Sequence, residues 1–182
     1  MPAPTRTTRS SWIDAALSAL ADGGPDAVRI DVLAQALGVT RGGFYHQFED
    51  RQALLEALLD TWEARSTDDV LEQVEREGGD ARTKVTKAGM LTFSDELLPV
   101  DLAVRDWARR DARVAERLRR VDNRRMDYLR QLISQLHSDA DDVEAIALMA
   151  FSLLIGNHFI AADHGSRDRA AVLLRASKRL FS

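Results

Sequence analysis

Apolar residues recur along most of this chain at intervals of three and four, the spacing that gathers side chains on one face of an α-helix. From Ser10 or Ser11, either a competent N-cap, Ile13, Ala16, Leu17 and Leu20 outline a first helix that Gly23-Gly24-Pro25 stops. Ile30, Leu33, Ala34 and Leu37 repeat the pattern in a second helix, which Gly38 can end in the left-handed conformation. Thr40 can cap a third, in which Phe44 and Phe48 face the first two helices and Tyr45, His46 and Gln47 are left outside. Leu54, Leu55, Leu58, Leu59 and Trp62 make a broad stripe on a fourth helix, which continues or kinks near Ser66 before Gly78-Gly79-Asp80 breaks it.

The second half keeps the same period. A helix is expected from Ala81 to Leu98, carrying Val85, Ala88, Met90, Leu91, Phe93 and Leu97 and ended by Pro99, with a shorter one from Asp101 to Arg110. From Ala112 to His137 the stripe Val114, Leu118, Val121, Arg125, Tyr128, Leu132, Leu136 seats an arginine among apolar neighbours, where it either snorkels or pairs with Asp122 or Asp127, or lines a cavity. The arginines around it alternate with Asp106, Asp111, Glu116, Asp122 and Asp127, the pattern of a solvated, ion-paired face.

Ala145 to Gly156 is the most apolar segment, too short for the roughly 20 residues of a bilayer span. At 100° per residue Ala145, Met149, Ser152 and Gly156 share one face, and Ala147, Phe151, Leu154 and His158 the opposite one. The first face is assigned to a partner subunit and the second to the protein's own interior. A last helix, about Ser166 to Phe181, adds Leu173, Leu174 and Leu180, so that two helices from each of two chains would form a four-helix homodimer interface.

Composition changes this picture in two respects. The balance of 45% hydrophobic and 30% charged residues in 182 is globular, yet the net charge of −4 argues against nucleic acid unless cations are concentrated locally. The amino-terminal stretch supplies such a concentration: Arg6 and Arg9 precede any acid, the first being Asp14. The absence of cysteine excludes disulfides and thiolate metal sites, and the start of the chain has no apolar h-region. A cytoplasmic protein with no membrane segment is expected.

The third helix is a poor helix by itself, because Gly42 and Gly43 each cost roughly 1 kcal/mol relative to alanine. Either a neighbouring helix or a ligand must approach the backbone closely there. A helix, a four-residue turn and a helix from Ile30 to Phe48 have the proportions of a helix-turn-helix, whose second helix reads base edges in the major groove. The run Leu-Ala-Gln-Ala-Leu-Gly-Val-Thr-Arg-Gly-Gly-Phe-Tyr-His-Gln-Phe, within Ser10 to Leu59, resembles the amino-terminal module of the TetR family of bacterial transcriptional regulators. In one respect it departs: Gln47 stands where the family commonly has histidine.

The resemblance implies DNA-binding roles for Arg29, Thr40, Arg41, Gly42, Gly43, Tyr45, His46 and Gln47, and for Arg51 a phosphate contact from the first turn of the fourth helix. A cation in that turn opposes the helix dipole and needs a compensating partner, unless it is simply solvated beside Glu49 and Asp50. The resemblance also implies a homodimer on double-stranded operator DNA, released by a small-molecule effector. Residues able to line an effector cavity are Trp62, Met90, Phe93, Arg105, Trp107, Arg125, Tyr128, Asn157 and His158, with ordinary core as the alternative for each apolar member.

His46, His137, His158 and His164 are scattered, and His158 and His164 differ by about 240° around a helix, so no metal site is indicated. No cofactor motif or catalytic constellation is present in the sequence. The expectation is an all-α chain: a three-helix helix-turn-helix domain in residues 1–50 and a helical dimerisation and effector-binding domain in residues 51–182. Its function would be transcriptional repression at a palindromic operator, with nucleoid association. The alternative is a helical small-molecule-binding protein or enzyme with a vestigial DNA-binding module.

Overall fold

A computed structural model of the chain describes residues 7–180; Arg6 and Phe181 lie outside the described residues. Among these residues the regular structure is entirely helical: α1 Arg9–Gly23, α2 Ile30–Ala36, α3 Arg41–Tyr45, α4 Arg51–Ser66, α5 Asp68–Glu77, α6 Ala81–Thr92, α7 Leu98–Ala108, α8 Ala112–Ile133, α9 Ala140–Phe159 and α10 Arg169–Leu180. They fall into two compact units. One holds the described residues up to Asp69 with Ser94–Val121, the other Val70–Phe93 with the described residues from Asp122 onward.

Side-chain caps set most of the starts. Thr8, rather than Ser10 or Ser11, caps α1 by accepting from the Ser11 N–H at 3.2 Å. Asp50 caps α4 through the Ala53 N–H, Asp80 caps α6 through the Thr83 N–H, and Asp139 caps α9 through the Asp141 and Asp142 N–H groups. The helical run after Asp50 does break after Ser66, where the Thr67 hydroxyl donates back to the Glu63 carbonyl at 2.6 Å before α5 begins.

In the first unit the core runs from Trp12, Ala16 and Leu20 of α1 through Val28, Leu33 and Phe44 to Leu54, Leu58 and Trp62 of α4, then Val104 and Trp107 of α7 and Val114 and Val121 of α8. Arg117 of α8 reaches three carboxylates spaced along one face of α4, Glu56 at 2.8 Å, Asp60 at 2.5 Å and Glu63 at 3.4 Å. Three acids around one guanidinium fix the rotation of α4 as well as its distance.

In the second unit Val70, Val74, Val85, Met126, Leu129, Leu132, Ile133, Val143, Ile146 and Ala150 form the buried set. Gly89 allows α6 and α9 to meet closely, since a Cβ there would lie 2.8 Å from the end of the Leu154 side chain. The Tyr128 hydroxyl donates to Glu75 at 2.7 Å, and Lys84 pairs with the same carboxylate. These two donors hold the Glu75 carboxyl below its ordinary value of 4.5.

Several expectations are overturned. The helix expected from Ala81 to Leu98 stops at Thr92, and Pro99 lies in the first turn of α7 rather than after a helix end. Proline lacks the N–H that the first turn leaves unpaired, so it favours a start as readily as a stop. The third helix ends at Tyr45, and α8 at Ile133 rather than His137. The most apolar helix runs twenty residues, Ala140–Phe159, so its length does not by itself exclude a membrane span. Three acids, Asp141, Asp142 and Glu144, occupy its first turns.

Candidate nucleic-acid interface

The turn between α2 and α3 is built by the backbone. Gly38 adopts φ +67°, a conformation costly for any residue with a Cβ, and the Val39 N–H donates to the Ala34 carbonyl at 2.9 Å. This reverses the chain and delivers Thr40 to the start of α3. Thr40 has the extended backbone of an N-cap, but its side chain makes no capping hydrogen bond.

Phe44 anchors α3. It is fully buried, meets Trp12 of α1 edge-on at 5.3 Å, and stacks on Phe48 at 5.4 Å. With that face committed, the opposite face is set by geometry: Arg41, Gly42 and His46 are exposed, Tyr45 is 54% exposed with its ring edge against Phe44, and Gly43 and Gln47 are half-buried. Neither Gly42 nor Gly43 has a positive φ, and a Cβ on either would meet only ordinary contacts, Thr40 Oγ1 at 3.6 Å and Val39 Cγ2 at 4.0 Å. No tight helix packing inside the first unit demands them.

Arg51 has backbone partners within the chain. Its Nε donates to the Val28 carbonyl at 2.7 Å and a terminal nitrogen donates to the Pro25 carbonyl, so the guanidinium holds the short turn Pro25–Ala27 in front of α2. Those carbonyls supply the compensation that a cation in a first helical turn needs. Arg29 is exposed and pairs with Asp31 at 3.0 Å. Partial desolvation works to raise the Asp31 carboxyl, but hydrogen bonds from the Asp31 and Val32 N–H groups and the Arg29 charge hold it below its ordinary value.

One member was not foreseen. Arg9, at the start of α1, donates to the Gln47 carbonyl at 2.6 Å and lies over the Phe48 ring at 4.1 Å. It thereby clamps the residues just after α3, where helix carbonyls lack partners. The two residues stand 38 apart in the chain, and no local signal marks the pair.

The residues expected to line an effector cavity divide between the units. Trp62, Arg105 and Trp107 belong to the first: Trp62 and Trp107 are buried, and Arg105 pairs at 2.8 Å with the fully buried Asp101. The others belong to the second. There Phe93 stacks on His158 at 5.8 Å and meets Phe151 at 6.5 Å, Tyr128 binds Glu75, and Arg125 is buried with Asp122 at 3.6 Å. The Asn157 carbonyl accepts from Arg169 at 2.9 Å. Met90 is 71% exposed, and His158, expected inside, is exposed despite its stack on Phe93, because the buried stripe of α9 ends at Ala150.

On α9 the face assigned to a partner is open. Ala145 and Ser152 are exposed, Met149 is 47% exposed and Gly156 half-buried with nothing within 4 Å of a Cβ, while neighbouring Leu148 is 57% exposed. On α10, Leu173 and Leu180 are half-buried.

Residues 13–58, which span α1 to the middle of α4, match the model of the family described as bacterial regulatory proteins, tetR family. A comparison with curated proteins finds no match. Among solved structures, a putative TetR-family transcriptional regulator from Rhodococcus sp. is similar, at 26% identity and TM-score 0.70, covering 96% of this chain and 98% of that one. The same fold is found in AibR, solved with isovaleryl coenzyme A and operator DNA, at 16% identity and TM-score 0.69 over 97% of this chain and 98% of that one. It recurs in FadR from Bacillus subtilis, solved with stearoyl-CoA, at 18% identity and TM-score 0.68 over 95% and 97%. A glycine-paired, aromatic-anchored third helix lies inside the segment that matches the tetR family model, and the chain shares its fold end to end with a putative TetR-family transcriptional regulator.

Proposed function

We propose that the chain is a sequence-specific transcriptional repressor that occupies a palindromic operator as a homodimer and leaves it when a small-molecule effector binds. The observation that carries this reading is the outward face of α3: Arg41, Gly42, Tyr45 and His46 exposed on a helix whose other face is locked by Phe44 and Trp12. Arg29, Thr40, Gly43 and Gln47 complete the proposed contact set, and Arg51 and Arg9 position it. Residues 1–50 would read DNA and residues 51–182 would dimerise and take the effector, in the cytoplasm and on the nucleoid. No catalysis is assigned to the chain.

Dimerisation is supported by α9, an apolar helix of which only 22% of the most apolar stretch is buried within the protomer. A second copy placed on Ala145, Met149, Ser152 and Gly156 of α9 and on Leu173 and Leu180 of α10 would cover it. The AibR and FadR complexes support acyl-coenzyme A compounds as a first effector class to try. Such a ligand releases DNA only if it prefers the conformation in which the two α3 helices no longer match the half-sites.

Selection of bound sequences from random duplex DNA tests the reading. The expected product is a palindrome with half-sites about one helical turn, roughly 34 Å, apart or a multiple of it. Failure to enrich any sequence at low salt removes the reading.

A further inference from the structure

A cleft of about 630 Å³ opens within the first unit between α1, α4 and the start of α7. Its volume lies in the range of small-molecule sites, roughly 300–1,000 Å³. Its walls are apolar: Leu17 and Trp62 are buried, and Ala21, Leu97 and Val100 are half-buried. Trp62 is 1% exposed, and its buried indole Nε1 has no hydrogen-bond partner among the described residues. A buried donor left unpaired costs the full desolvation of the group, so an acceptor supplied from outside the chain recovers energy that the fold itself forgoes. None of the residues proposed to touch DNA lines this cleft.

We propose that this cleft binds an uncharged apolar compound through a carbonyl oxygen that accepts from the Trp62 indole N–H. The indole can only donate, so neither a cation nor a bare hydrocarbon answers it. A carboxylate would also accept. The cleft, however, is lined by Asp14, Asp22 and Glu96 against the single cation Arg65, which is already paired with Asp14 at 2.8 Å. That excess of negative charge disfavours an anion wherever those side chains point. The ligand class is therefore ketone, lactone or ester, with its hydrocarbon body on Leu17, Ala21 and Val100, and not a fatty acid or an acyl-coenzyme A compound.

Such a ligand bears on the helix against which α3 is seated. Leu17 of the cleft wall belongs to α1, and the same helix carries Trp12, which meets Phe44 of α3 edge-on at 5.3 Å. Trp62 of the opposite wall belongs to α4, so one molecule touches both helices that frame the first unit. The consequence for DNA rests on the operator reading, whereas the binding itself does not. Binding is measured without DNA, so the two can fail separately.

The test follows the indole N–H resonances of the three tryptophans in nitrogen-15-labelled full chain, assigned by through-bond correlation. The probes are cyclohexanone, its isostere methylenecyclohexane, which has a CH₂ group in place of the oxygen, and cyclohexanecarboxylate. Cyclohexanone should move the Trp62 signal downfield in a saturable manner and leave Trp12 and Trp107 in place. Methylenecyclohexane should bind about fivefold more weakly, the scale of one hydrogen bond, without the downfield shift, and the carboxylate should not bind. Ala21→Phe, at a half-buried wall position, fills the cleft and should abolish the response to the ketone. No saturable shift at Trp62, an equal shift with methylenecyclohexane, tighter binding of the carboxylate than of the ketone, or a response that survives in folded Ala21→Phe would each overturn the proposal. The comparison of the two isosteres uses only the unaltered chain, so it decides even where Ala21→Phe does not fold.

Discussion

Replacing Gly43 or Gly42 with alanine should strengthen the fold and weaken DNA binding together. Both glycines have negative φ, and the nearest atoms to a new Cβ are 4.0 Å away at Gly43 and 3.6 Å away at Gly42, so a methyl group fits without displacing a neighbour. Glycine in a helix interior costs roughly 0.5–1 kcal/mol relative to alanine. Because α3 is only five residues long, the lower end applies at each position, and the double variant should gain about 1 kcal/mol. For a chain of this size that is a rise in Tm of roughly 2–4 °C. On the DNA side a methyl group enters where backbone is proposed to approach the bases, and spoiling one such contact costs about 1–3 kcal/mol, or roughly 5- to 150-fold in affinity. Thermal denaturation and fluorescence anisotropy on the selected duplex, at one salt concentration, read the two effects on the same preparation. A lower Tm would mean that the glycines serve packing, and a higher Tm with unchanged affinity would mean that they serve nothing at the DNA surface.

Arg51→Ala removes two hydrogen bonds to carbonyls of the turn before α2 and should cost about 1–2 kcal/mol of stability while leaving the slope of log Kd against log salt unchanged; a slope reduced by about one with no loss of Tm would make Arg51 a phosphate ligand after all. Met149→Glu places a charge on the open face of α9, at a position 47% exposed in the protomer, and should yield a folded monomer in light scattering at micromolar concentration; a dimer retained by this variant would move the interface elsewhere. The Asp31, Glu75, Asp80, Glu116 and Glu144 carboxyls all sit below their ordinary values of 3.8 for Asp and 4.5 for Glu, held by hydrogen bonds and neighbouring cations. A lowered folded value binds fewer protons than the unfolded chain, so their contribution is complete above the ordinary values and is lost as pH falls through them. Thermal transitions recorded downward from pH 7 should therefore hold level to about pH 4.5 and decline modestly below it, and a decline that sets in well above pH 4.5 would show that these carboxyls do not set the acid limit.

The helices were legible because their signals are local. Apolar residues at three and four and a glycine, found at φ +67° after α2, act within one or two turns. The error at Ala81–Leu98 shows where local signals stop sufficing. Phe93 and Leu97 continue the apolar period, but the helix ends at Thr92, and Pro99 fits an end and a beginning equally well until the path of the chain is known. His158 fails for a related reason: its angle on α9 is right, but burial stops at Ala150, where the packing partners of that face run out.

The surface proposed to face DNA divides along the same line. Tyr45 and His46 could be placed outward from sequence because Phe44 and Phe48 had to point inward, and one face of a short helix determines the other, while Gln47, expected beside them, is half-buried. What orients that helix could not be read in this way. Arg9 reaches the Gln47 carbonyl across 38 residues, and Arg51 reaches back 23 and 26 residues to Val28 and Pro25. Each is an arginine donating to backbone carbonyls, an acceptor that every residue carries and that leaves no trace in side-chain pattern. Arg51 therefore looks like a phosphate ligand in sequence and Arg9 like part of a basic tip, while in the folded chain both donate to backbone around α3 and the turn before α2. The departure at Gln47 takes on a different weight in that light. Its carbonyl, independent of side-chain identity, is what Arg9 holds, so replacing the usual histidine leaves the clamp intact and changes only the group presented beside Tyr45 and His46.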